Sequence, residues 1–180
     1  MMKPLLPVAH AIDRFNDAFA WLAQWAVLLS CFISAGNAIV RYGLNLGSNA
    51  WLEIQWYLFA AAVMFGAAQV LRLNEHVRVD LLDNRLSTHG KVYVDIFGFV
   101  FFLLPVAVAM LYYAGPMFLD RLRTGEMSPS AGGLIRWPVV LTIPVGFAML
   151  FAQGLSEIIK RVAWLRHEYE MDTHYERPLQ

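Results

Sequence analysis

The sequence predicts an all-α integral membrane protein, with four transmembrane helices and an interfacial amphipathic helix between the second and third. Three observations carry that prediction. The 180 residues are 58% hydrophobic and only 16% charged, with a mean hydropathy of +0.48; an ordinary soluble domain is roughly 25% charged. Four apolar runs are long enough to cross roughly 30 Å of hydrocarbon at about 1.5 Å per residue. Between the second and third runs, RLNEHVRVDLLDNRL is charged yet keeps leucines and valines at helical spacing. The length fits a single membrane domain over 1–180.

Residues 1–20 form a lead-in. Its apolar residues are broken by Pro4, Pro7, His10, Asp13 and Arg14, so it does not read as a signal peptide. Ile12, Phe15 and Phe19 recur at spacings of three and four, which suggests a short amphipathic helix on the membrane surface. A frayed extension is the alternative. The first span covers 21–40 and is expected to be an uncleaved helix, with Trp21 and Trp25 at one interface and Tyr42 at the other. Ser30, Ser34 and Gly36 are small enough for close helix packing. Cys31 reads as one more small packing residue. Asn37 is expected to bond to a neighbouring helix or a backbone carbonyl; contact with a substrate is the other reading.

The loop 41–50 is too short for a domain, so the first two spans are antiparallel neighbours. The second span covers 51–71. Glu53 lies close in depth to Arg41, and an ion pair between them, or to a partner subunit, would lower the cost of charge near hydrocarbon. A headgroup-level glutamate without a specific partner remains the alternative. Gly66, Ala67 and Ala68 offer a smooth contact patch. Residues 72–90 then carry Val79, Leu82 and Leu86 on one helical face, with Arg78, Asp80, Asp83, Asn84 and Arg85 around the rest. Such a helix should lie flat at the headgroups, and Gly90 permits the turn into the next span.

The third span covers 92–113 and contains Pro105, which signals fixed curvature or a hinge. The loop 115–136 is the longest, with a short surface helix expected over 117–122. The fourth span covers 137–159. Pro138 falls in its first turn, where proline is tolerated, and Pro144 should bend it. A charged tail fills 160–180.

Four spans put both termini on one side. Ten of the fourteen lysines and arginines fall there: Lys3, Arg14, Arg72, Arg78, Arg85, Lys91, Lys160, Arg161, Arg166 and Arg177. Arg41, Arg121, Arg123 and Arg136 fall on the other. That bias places both termini in the cytoplasm.

The formal net charge is zero, so no basic excess points to nucleic acid. No histidine lies within a span, and GxSxG, Walker and HExxH motifs are absent from the sequence. The carboxylates lie at span ends, and no inverted repeat is visible. Enzymatic activity and autonomous carriage are therefore both weakly supported.

The run Asn74 to Leu86, NEHVRVDLLDNRL, resembles the signature of the small permease (DctQ-like) subunit of tripartite ATP-independent periplasmic (TRAP) transporters. The similarity extends to Gly36-Asn37-Ala38, Arg41-Tyr42, Trp51, Glu53 and Tyr57, and its most specific part is Glu75-His76-Val77-Arg78-Val79-Asp80. The resemblance implies a non-enzymatic subunit of the bacterial inner membrane. It implies a large (DctM-like) partner subunit that moves elevator-fashion and holds the substrate and sodium sites. It also implies a periplasmic binding protein that delivers an organic acid. No cofactor is expected in this chain, and its standing partner is the lipid bilayer. Asn37, Arg41, Glu53, Glu75, His76, Arg78 and Asp80 are the candidate subunit-contact or scaffold residues. A stand-alone small carrier or channel is the competing reading.

Overall fold

A computed structural model of the chain describes residues 3–74 and 86–170. Among these residues a short 3-10 turn, Lys3–Leu5, leads into four long helices. They are α1 (Leu6–Leu44), α2 (Asn49–Leu73), α3 (Thr88–Thr124) and α4 (Trp137–Leu165). Each is long and apolar enough to cross a bilayer. The all-α, four-span class is therefore the one the composition calls for. Asp13, early in α1, meets Lys160, late in α4, so one end of the bundle gathers the start of α1 and the end of α4. We call it the terminal end.

The lead-in and the first span are one continuous helix rather than a surface helix followed by a span. At about 1.5 Å per residue, α1 is about 58 Å long, well beyond the roughly 30 Å of hydrocarbon. Its first turns have room to stand outside the apolar layer. Its buried positions are Ala9, Asp13, Asn16, Ala20, Ala23 and Ala26, at spacings of three and four. Of the apolar residues read as the membrane-facing stripe, Phe15 is 56% exposed, while Asp13 is 6% exposed. In a membrane the large apolar side chains are satisfied by lipid, and the small or polar stripe is left to pack. For the same reason the packing surface is the alanine ladder, and Ser34, Gly36 and Cys31 are left exposed rather than packed.

Helix α2 ends at Asn74, whose left-handed backbone (φ 59°) returns its N–H to the Leu71 and Val70 carbonyls. Of the expected interfacial helix over 72–90, residues 75–85 lie outside the described residues, and with them Glu75, His76, Arg78 and Asp80. The chain resumes at Leu86, and Ser87 caps α3 by accepting the Gly90 N–H at 3.2 Å. Gly90 thus sits inside the first turn of α3 rather than at a turn before it.

Helix α3 carries a π-helical turn over Phe99–Leu103 immediately before Pro105. The Leu104 N–H reaches back to the Phe99 carbonyl. A widened turn absorbs the register that a proline without an N–H disturbs. The helix continues through Pro116 and stops at Gly125 (φ 61°). The ten residues 115–124, read as loop from sequence, therefore extend the third helix. Helix α4 contacts the other three and is the most enclosed. A Cβ on Gly146 would come within 2.6–2.9 Å of Met64 side-chain and backbone atoms. Only glycine lets α2 and α4 approach that closely.

Candidate functional site

A buried polar seam holds the terminal end together. Helix α4 supplies Gln153, Ser156, Glu157, Lys160 and Arg161, spaced so that they share one inward face. Asp13 of α1 accepts from Gln153 Nε2 at 2.9 Å and Lys160 Nζ at 3.2 Å, with Ser156 Oγ also 2.9 Å away. Asn16 Nδ2 donates to Gln153 Oε1 at 2.7 Å. Gln153 Nε2 also reaches Glu157 Oε1 at 3.0 Å, so two carboxylates fix the orientation of its amide. Glu157 in turn pairs with both Lys160 and Arg161.

The seam extends to the remaining helices. Arg161 forks onto Asp95 of α3 through Nε and a terminal nitrogen, each 3.1 Å from Oδ2, and lies 4.7 Å above the centre of the Phe99 ring. On its other flank, Asp17 of α1 pairs with Arg72 of α2 and lies 3.4 Å from Gln69 Nε2. All four helices are thereby joined at this end. Charges removed from water are tolerated when each meets an opposite charge and its remaining valences are hydrogen-bonded. The seam meets both conditions for Asp13, Glu157, Lys160 and Arg161.

At the opposite end α2 holds the loop 125–136. Glu53, 4% exposed, accepts the Leu134 N–H at 2.7 Å on one carboxylate oxygen and the Ser128 hydroxyl on the other. Tyr57 donates to the Ile135 carbonyl at 3.1 Å, and Asn49 donates to the Ala131 carbonyl at 2.9 Å. Within the loop, Met127 and Ile135 form an antiparallel bridge, and Arg121 and Arg136 both pair with Glu126. Gly133 is required here, since a Cβ would fall 2.6 Å from Ser128 and 2.8 Å from Glu53 Oε1.

Glu53 is therefore not the ion-pair partner of Arg41; it anchors a loop that no spacing argument connects to it. Among the described residues Arg41 has no hydrogen-bonding or ion-pair partner, and Asn37 makes no bond across to another helix. Both line a groove between α1 and α2. The seam residues Asp13, Asn16, Gln153, Ser156, Glu157, Lys160 and Arg161 went unselected in the sequence. Their signal was present as two polar stripes at helical spacing. The sequence places Lys160 and Arg161 in the charged tail, whereas α4 continues beyond them to Leu165. Among the described residues no three His, Cys, Asp or Glu side chains gather as a metal-binding group.

The family described as "Tripartite ATP-independent periplasmic transporters, DctQ component" matches residues 30–163, well over half of the chain. A Haemophilus influenzae protein that carries the provisional name of a TRAP transporter small permease protein is 28% identical over 161 residues. That match covers 88% of this chain and 94% of the relative. No solved structure gives a significant match.

Proposed function

The chain belongs to the DctQ-component family of tripartite ATP-independent periplasmic transporters, and on that premise we propose that this multi-pass membrane protein is the fixed, non-catalytic brace of a sodium-coupled transporter. It lies in the bacterial inner membrane with both termini in the cytoplasm. A large elevator subunit beside it carries the substrate and the sodium. A periplasmic binding protein delivers an organic acid to that pair, and the brace itself holds no cofactor.

The observation that carries this reading is the buried seam, in which Asp13, Asp95, Glu157, Lys160 and Arg161 tie three helices and Asp17–Arg72 ties the fourth. A carrier keeps its ionisable groups poised to meet cargo. Here those of the seam are spent on one another. The loop pinned by Glu53 secures the other end, which suits a support that keeps its shape. Helix α3 offers the surface for a partner. Tyr93, Phe97, Phe101 and Phe102 are exposed along it, and it is the least enclosed of the four helices.

Reconstitution tests the proposal. Liposomes holding the large subunit and this chain, given a sodium gradient and loaded binding protein, are expected to take up the acid. Liposomes holding this chain alone are not. Saturable uptake by this chain alone would replace the brace with a stand-alone carrier.

A further inference from the structure

The inner half of α1 is packed, and its outer half is not. Buried positions on α1 stop at Ala26. Beyond Ser30, whose hydroxyl lies 3.5 Å from the Gln55 carbonyl, the helix parts from α2 and leaves a groove between them. An apolar compartment of about 530 Å³ runs past Phe32, Ile33, Gly36, Val40 and Trp51. It opens into a polar compartment of about 450 Å³ through the shared residues Asn37, Leu46, Gly47 and Ser48. Arg41, Asn45 and Asn49 line that second compartment. Tyr42, 84% exposed, and Trp51, 54% exposed, mark the place where aromatic side chains collect at headgroup depth.

We propose that this groove binds one anionic phospholipid, with an acyl chain along the apolar compartment and the headgroup phosphate on Arg41. The order of chemistry along the groove is that of an amphiphile: hydrocarbon first, then amide and hydroxyl groups, then a cation. A guanidinium matches a phosphate through two parallel N–H donors, and Arg41 has no competing partner among the described residues. No carboxylate lines either compartment. The amine of a zwitterionic headgroup would therefore find no counter-charge, which favours a lipid whose net charge is negative. A transmembrane helix of a partner subunit would fill the apolar compartment but would leave the cationic mouth unanswered. The site goes beyond the bracing role and depends only on the chain's lying in a membrane.

Native mass spectrometry of the purified full chain, equilibrated with phosphatidylglycerol and phosphatidylethanolamine in equal amounts, tests this. The wild-type chain is expected to retain one phosphatidylglycerol in preference to phosphatidylethanolamine. Arg41→Gln should lower that retention at least about tenfold, the weight of one charge-assisted hydrogen bond or more, and Arg41→Lys, which keeps the charge but loses the paired donors, should fall between Arg41→Gln and the wild-type chain. Gly36→Leu should expel both lipids, because a Cβ at Gly36 meets nothing within 4 Å and the added side chain grows into the groove without disturbing the fold. Unchanged melting by circular dichroism checks that last point, and Arg41→Gln, an exposed substitution, stands independently of it. Equal retention of the two lipids, or retention indifferent to Arg41→Gln, would overturn the proposal. So would a Gly36→Leu chain that keeps its lipid but no longer co-purifies with the large subunit, since the groove would then be a protein dock.

Discussion

At Lys160 a buried ammonium meets two carboxylates, Asp13 across on α1 and Glu157 one turn back on its own helix. Its side chain is 7% exposed, so water cannot substitute for a lost partner. Removing one member of such a group leaves the others charged and dry, a loss of about 3–5 kcal/mol for a buried pair. Lys160→Met is therefore expected to lower the thermal stability of the purified chain by that amount. Lys160→Met with Asp13→Asn should recover part of it, because the two sites share one interaction. Thermal melts in detergent read both. A loss below about 1 kcal/mol, the range of an exposed ion pair, would show that the seam is hydrated. The sequence announces each of these residues as polar but not as buried. Charge near a span end is cheap when it faces water, and only the tertiary partner reveals that it faces inward.

Among the elements, α1 shows most plainly why some of the fold was legible and some was not. Its existence follows from hydropathy alone, as does that of α2, α3 and α4. Its packing face does not follow from the rule used for soluble helices. Ile12, Phe15 and Phe19 form an apolar stripe, and in water that stripe would be the core; here Phe15 is exposed, Phe19 leans edge-on against Phe65 of α2, and Ala9, Asp13, Asn16 and Ala20 are the buried positions. The limits of α3 were similarly hidden, because the apolar span reads as ending at 113 although the helix runs to Thr124. The loop that follows takes its shape from α2. Glu53 uses both carboxylate oxygens on it, and Glu53→Gln preserves the shape of the side chain while removing one acceptor. Hydrogen exchange should then quicken at the Leu134 amide and its loop neighbours, with the amides of α2 unaffected. Unaltered exchange at Leu134 would mean that the loop holds its form without the carboxylate.

For the molecule as a whole, two ends are fastened by different chemistry: a charged seam at the terminal end and a pinned loop at the other. Between them α1 and α2 meet on small residues, where a Cβ at Gly66 would lie 3.9 Å from that of Ala23. Four spans and the class of transport system were readable from hydropathy and from the motif around Asn74. The contacts on which the proposed brace depends were not, because pairs such as Asp13 with Lys160 and Glu53 with Leu134 join residues far apart in the chain. Rigidity is the property that separates a brace from a carrier, and it can be measured directly. In a Cys31→Ser background, Ala23→Cys with Gly66→Cys places two thiols at a Cβ separation within the roughly 3.5–4.5 Å that a disulfide requires. The decisive measurement is sodium-driven uptake by proteoliposomes of this doubly substituted chain with its large subunit and loaded binding protein, before and after oxidation. A brace predicts uptake within about twofold of the reduced sample once α1 and α2 are locked together; uptake abolished by the cross-link and restored by reductant would contradict it.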